Sequence, residues 1–307
     1  MLRRTLSGIW VIVIVFFISF GAKAEELSVR NPLEWLDTEE VYLLGRHNPG
    51  NLLERLNQFE EVMVGRVREG SLVQRLNYLN TLLFVNQPYD ICATYKIQAL
   101  EWVIFRQVYP EPLYIRIEKL EKVLFGKPSS GPMAIRLEKM VSQVFPEGTV
   151  KGHWVSVPEG ILVKIKLLDE VSSAKSSAGD EFRYQVIETV ASNNMVIIPK
   201  GTVGYGMVSR ITRPGNLGID ARLMLDFREI RALDSTMVAL QYSAANTPDI
   251  NRPRQLAVGA SAAGMLILGP EGILFGMAVR GQEKTISVDA EFFVQVKKPV
   301  RIYTLQI

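Results

Sequence analysis

One fourteen-residue plan is written five times in the first half of the chain. The copies are "LLERLNQFEEVMVG" from Leu52, "LVQRLNYLNTLLFV" from Leu72, "ATYKIQALEWVIFR" from Ala93, "LYIRIEKLEKVLFG" from Leu113 and "MAIRLEKMVSQVFP" from Met133. Their starts lie 20, 21, 20 and 20 residues apart. A degenerate earlier unit, "PLEWLDTEEVYLLG", aligns Leu36 and Gly45 with Leu56 and Gly65.

Each copy places apolar residues at steps of 4, 3 and 4, as in Leu52, Leu56, Phe59 and Met63, or Leu113, Ile117, Leu120 and Leu124. That spacing draws one continuous stripe along an α-helix. A further apolar slot (Val64, Phe84, Phe105, Phe125, Phe145) widens the stripe, as a helix with more than one neighbour requires. Breakers separate the copies: "GRHNPG", "GRVREG", "NQPYD", "YPEP" and "GKPSSGP". Glycine ends helices and proline starts or blocks them. Rods of about 14 residues, roughly 21 Å long, are marginal alone and need tertiary packing. Residues 25–150 therefore predict an array of short antiparallel helices, stacked as a short solenoid or closed as a small bundle.

The slot before the second stripe residue is always basic: Arg55, Arg75, Lys96, Arg116 and Arg136. Two readings fit. One is a contact ladder for an anionic polymer, such as a wall glycan or lipid head group. The other pairs each cation with a carboxylate on a neighbouring helix, for which Glu60, Glu101 and Glu121 recur, or leaves it in water. The second carries more weight, because rows of charge are ordinarily solvated faces and contribute little each.

Residues 1–24 read as a secretory leader. Arg3 and Arg4 precede the apolar core "GIWVIVIVFFISF", and "AKA" puts small residues at Ala22 and Ala24, so cleavage is expected before Glu25. The leader holds Arg3, Arg4 and Lys23 and no acid, so the rest balances 32 basic against 32 acidic residues. That balance offers no basic stripe for nucleic acid. The expected location is the periplasm or cell envelope of a bacterium. Cys92 has no second cysteine to pair with.

After Pro146 the period shortens. "ILVKIKLL", "EFRYQVIETV", "MVIIP", "VGYGMVSRI", "ARLMLDFREI" and "MVALQYSA" are short β-rich runs separated by "SAKSSAGD", "SNN", "RPGNLG" and "ALDS". Residues 151–307 predict a mainly-β barrel or sandwich, and the fold class is α+β. A strand-opening motif recurs at "VPEGILVKI" and "IPKGTVGYG", and "ISVDAEFFVQV" is a third copy without Pro or Gly. "KGHWVSVPEG" reads as the linker between the halves.

The stretch 256–281, "LAVGASAAGMLILGPEGILFGMAVRG", spaces Gly259, Gly264, Gly269, Gly272 and Gly276 among small and apolar residues. One reading is a hairpin for membrane association or for assembling subunits; the other is a Gly-rich helical insert packed over the barrel. The two histidines, His47 and His153, lack a neighbouring His or Cys at metal-ligand spacing. The chain contains neither a Gly-x-Ser-x-Gly elbow nor a phosphate loop. No cofactor is expected.

"RIEKLEKVLFG" and "RLNQFEEVMVG", repeated about every 20 residues behind a leader, resemble helical repeats of uncharacterised bacterial envelope proteins. The resemblance covers roughly residues 33–146 and implies location and architecture, without an activity. "LLDEVSSAKSSAGDEF" and "IPKGT" make the second half similar to β domains of envelope proteins and to the barrel of conjugation-channel scaffolds, which implies fold alone. The expectation is a non-catalytic envelope scaffold or binding module, partnered by an envelope protein or cell-wall polymer, with homo-oligomerisation as one mode of assembly. The alternatives are an envelope carbohydrate hydrolase using carboxylates, and a subunit of an export or conjugation channel.

Overall fold

A computed structural model describes residues 31–87, 90–214, 220–243 and 282–306. The leader with its cleavage site, and the stretch 256–281 with its glycines, lie outside these residues.

Each sequence repeat forms one helix: α1 (Pro32–Leu44), α2 (Leu52–Val64), α3 (Leu72–Phe84), α4 (Ala93–Phe105), α5 (Leu113–Phe125) and α6 (Met133–Val144). Their ends follow local chemistry. Asn51 and Ser71 cap α2 and α3 in reciprocal boxes with Glu54 and Gln74, which satisfies otherwise orphaned amides. Gly45, Gly65 and Gly126 close α1, α2 and α5 in the left-handed conformation.

The stripe residues Leu36, Leu56, Phe59, Leu76, Leu79, Ile97, Leu100, Ile117, Leu120, Leu137 and Met140 are buried in one core. The array is coiled rather than laid out as an open row. α1 touches α5 as well as α2, and α2 touches α6 as well as α3. A Cβ on Gly45 would lie 2.8 Å from Cγ of Pro112, and one on Gly65 would lie 2.4 Å from Cγ of Pro132. The end of one helix thus seats on the start of the helix four places on.

The second half is a closed antiparallel barrel. Its strands are β2 (Leu162–Leu167), β4 (Glu181–Val186), β7 (Val203–Thr212), β8 (Arg222–Arg231), β9 (Met237–Tyr242) and β11 (Glu291–Val296), in the order β11-β2-β4-β7-β8-β9. Closure removes the edges that an open sheet would expose. Alternate residues of β2 and β4 point inward: Val163, Ile165, Leu167, Phe182, Tyr184 and Val186 are buried. Gly204 and Gly206 on β7 lie beneath the rings of Tyr184 and Phe182; a Cβ at either would approach a ring atom to 2.4 or 2.3 Å. That Gly-Tyr-Gly is a packing feature of a strand.

The recurring strand-opening motif has one backbone cause. Gly160 and Gly201 sit at φ +87° and +93° before β2 and β7. Asp289 takes the same left-handed position at φ 65° before β11. The third copy keeps the turn while replacing its glycine with a residue type that tolerates that region.

Short pairs complete the domain: β1 (His153–Val157) with β12 (Val300–Thr304), β3 (Val171–Ser172) with β10 (Thr285–Ile286), and β5 (Val190–Ser192) with β6 (Met195–Ile198). Here the structure corrects the sequence reading. "HWVSV" is a strand and not a linker, and β12 was not anticipated. The two halves share a seam. The core of the helical array also takes in Val196, Leu233 and Leu305. Val108 donates its N–H to the Lys200 carbonyl at 2.8 Å, and Tyr95 meets Tyr303 with ring centroids 5.5 Å apart.

Candidate functional site

The basic slots face inward. Arg55, Arg75 and Arg116 are 4–8% exposed, and each reaches back to the preceding helix. Arg75 donates from Nε and Nη2 to the two Glu60 oxygens at 3.0 and 2.7 Å. Arg116 does the same to Glu101 at 2.8 and 2.7 Å, and Arg136 to Glu121 at 3.0 and 2.7 Å. Arg55 meets Glu40 at 2.6 Å and also Asp37 at 2.6 Å. Paired forks of this kind are the strong form of the ion pair.

The glutamate has a second duty. Oε2 of Glu40, Glu60, Glu101 and Glu121 accepts the backbone N–H of Asn48, Arg68, Tyr109 and Ser129, at 3.1, 2.8, 3.4 and 2.9 Å. One carboxylate therefore folds the loop that follows its own helix and clasps the next helix. Burial opposes ionisation of Glu121, but hydrogen bonds from Arg136 and Ser129 outweigh it and hold its carboxyl below the usual range. For Arg116, burial pulls the pKa down while the charge and bonds of Glu101 raise it further, with a net upward shift.

Lys96 is the exception among the five. Its partner is not on α3, where Asn80 occupies the glutamate slot and accepts instead from Nε1 of Trp35 at 3.3 Å. Lys96 binds Asp90 at 3.1 Å and Glu138 on α6 at 2.6 Å. Of the two readings of the basic slots, the pairing one describes the structure, and the contact ladder for an anionic polymer, the lesser of the two, is set aside. These cations hold helices together and do not form a free basic face. Sequence reading recognised three of the carboxylates but missed Glu40. The signal was present as a fixed step of 15 residues from each Glu to its Arg.

Asp37, Glu40 and His47 bring ligand atoms within 4.8 Å of one another. The Arg55 guanidinium already lies on both carboxylates, so this group is the first clasp with a histidine beside it. Cys92 is buried, and burial pushes its thiol up to about 11, which keeps it protonated at neutral pH. His153 stands exposed on β1.

Apolar side chains are also exposed on the array, beside exposed charges such as Glu34 and Glu54. Leu33, Leu53 and Val73 occupy the same slot of α1, α2 and α3, one residue into each helix, and are 49%, 53% and 47% exposed. One exposed leucine needs no explanation. The same slot is exposed on three successive helices. On the second half, the side chain of Trp154 stands out from β1 with the Arg301 guanidinium 4.9 Å from its ring centre.

No helix among the described residues is long and apolar enough to cross a membrane. No protein-family model matches the chain, and the comparison with curated proteins finds no match.

Proposed function

We propose that the protein is an exported, non-catalytic envelope protein whose helical half is a rigid docking platform for another envelope protein. The observation that carries this reading is the exposed apolar slot repeated at Leu33, Leu53 and Val73 on helices locked by internal clasps. A surface fixed in this way loses little conformational entropy when a partner seats on it. The leader-like residues 1–24 and the resemblance to envelope repeats support the location. The Gly-rich stretch 256–281 supplies the membrane or assembly contact in the same reading.

The test is fractionation of cells followed by cross-linking, with the native chain beside a Leu33→Ser, Leu53→Ser, Val73→Ser variant. The native chain should appear in the envelope fraction, beginning at Glu25, and cross-link to a discrete neighbour. The triple variant should lose that neighbour while keeping its melting temperature. Recovery in the cytoplasm, unchanged neighbours in the variant, or turnover of purified wall polymer would each overturn the reading.

A further inference from the structure

Among the described residues, strand β1 pairs on one side only. Its register with β12 runs His153 to Thr304, Trp154 to Tyr303, Val155 to Ile302, Ser156 to Arg301 and Val157 to Val300. Two bonds on the far side of β12 fix which backbone groups face where. The Tyr303 N–H donates to Asp234 at 2.7 Å, and the Leu305 carbonyl accepts from Val196 at 3.0 Å. Backbone groups alternate sides along an antiparallel strand. Thr304, Ile302 and Val300 therefore turn toward β1 and bond His153, Val155 and Val157. The N–H and C=O groups of Trp154 and Ser156 point the other way, and have no partner among the described residues.

An edge of this kind is a template for another strand, and proteins commonly blunt it with proline, an inward charge or a bulge. β1 has none of these within its span. Its outer face carries Trp154, 58% exposed, and Ser156, also exposed. Its inner face places Val157 in the barrel core.

We propose that this edge binds the same edge of a second copy of the chain, antiparallel about a two-fold axis at Val155. That centre sets Trp154 opposite Ser156 of the second copy in both directions, so the free N–H and C=O groups of both residues are all satisfied. It also sets the largest exposed side chain of the strand beside a small one, and brings Lys151, which also pairs with Glu147 of its own chain at 2.6 Å, toward Glu159 in the turn that follows the strand. Lys151 and Glu159 are exposed and of opposite charge. Centring the axis on Trp154 would instead face Ser156 with Gly152, whose N–H is already held by the Tyr303 hydroxyl at 2.9 Å. Centring it on Ser156 would face Trp154 with Pro158, which has no N–H to give. The product is a sheet continuous through both molecules, β12-β1 of one running into β1-β12 of the other. This inference does not rest on the docking platform proposed above.

The decisive measurement is solution mass by light scattering and sedimentation, from about 1 to about 100 µM of the purified chain. A concentration-dependent dimer is expected. Ser156→Pro removes an N–H that makes no bond within the chain, and edge positions accept proline. It should raise the dissociation constant at least tenfold and leave the melting temperature unchanged. Should Ser156→Pro fail to fold, the charge swap decides. Lys151→Glu should weaken the dimer, and Lys151→Glu with Glu159→Lys should restore it. A monomer throughout the range, or a dimer indifferent to both sets of variants, would overturn the proposal. So would a monomer whose Trp154 fluorescence responds to an oligosaccharide or an added acidic peptide, because the edge would then serve another occupant.

Discussion

The junction between α3 and α4 is built differently from the other four, although the helical repeat runs across all five. Four junctions share one device: a buried glutamate caps its loop and clasps an arginine on the next helix. At the middle junction Asn80 replaces the glutamate, a lysine replaces the arginine, and the spacing grows from 20 to 21 residues. Apart from Asp90 in the junction loop, the partners there are not sequence neighbours. Trp35 of α1 reaches Asn80 of α3, Lys96 of α4 reaches Glu138 of α6, and the Tyr42 hydroxyl of α1 lies 3.1 Å from the Thr94 hydroxyl of α4. The clasps propagate a local rule, while the middle junction turns the array back on itself so that α1–α3 meet α4–α6. The apolar stripe specifies that the helices pack, and the charged pairs distinguish a continuing step from a turning one.

Breaking a clasp is expected to give the largest effect. A buried ion pair is weak evidence for stability as a whole, but removing one partner strands the other charge and costs about 3–5 kcal/mol. Glu60→Leu should cost that much, because it leaves Arg75 buried without its carboxylate and the Arg68 N–H without an acceptor. Adding Arg75→Met should recover most of the loss, leaving about 1–3 kcal/mol for the loop amide. Lys96→Met at the middle junction should cost only about 1 kcal/mol, since both its partners are exposed. Chemical denaturation of the four chains reads these differences. Equal costs at Glu60 and Lys96 would erase the distinction between the two kinds of junction.

Neighbours on α1 give the next comparison. Glu40 is buried and clasped. Glu39 is half-buried at the seam with the barrel, and burial raises its carboxyl from its usual 4.5 to about 7, opposed by the charge of Arg231. A carboxyl raised in this way binds more protons folded than unfolded, so its contribution falls as pH climbs from about 4.5 to about 7. Glu39→Gln should therefore stabilise the chain above pH 7, by about 1–3 kcal/mol given the water Glu39 retains, and change little at pH 4. Melting curves at the two pH values give the answer; a benefit that persists unchanged at pH 4 would rule out titration of Glu39 as its source.

The helices were legible because each repeats a periodic stripe between strong breakers, and six helices start where the plan starts. The coiling was not, since Gly45 on Pro112 and Gly65 on Pro132 are contacts over distances that no local pattern encodes. The barrel strands with clean alternation were legible too, as in "ILVKIKLL" and "EFRYQV". β1 and β12 were missed because each is short, and the exposed Trp154 and Tyr303 packed beneath it disrupt the apolar count that marks a half-buried strand. The clasps were half legible. The repeat alignment gave the basic row and some of its carboxylates, but only the geometry of a two-helix step shows that a separation of 15 residues brings two side chains together.

The smallest expected effect tests whether the array is specified locally or by its tertiary contacts. The Ser71 hydroxyl accepts from the Gln74 N–H at 3.3 Å, and Oε1 of Gln74 accepts from the Ser71 N–H at 2.9 Å. Ser71→Ala should cost about 1 kcal/mol, and Ser71→Gly only a few tenths, as expected for an exposed cap. The cap and the Glu60 clasp both act on α3, one through its own first turn and one through α2. If the cap cost as much as the clasp, the helices would owe their order to local signals, and the charged pairs would be accessories. A cap worth a third or less of a clasp means that a rod of 13 residues is held chiefly from outside itself.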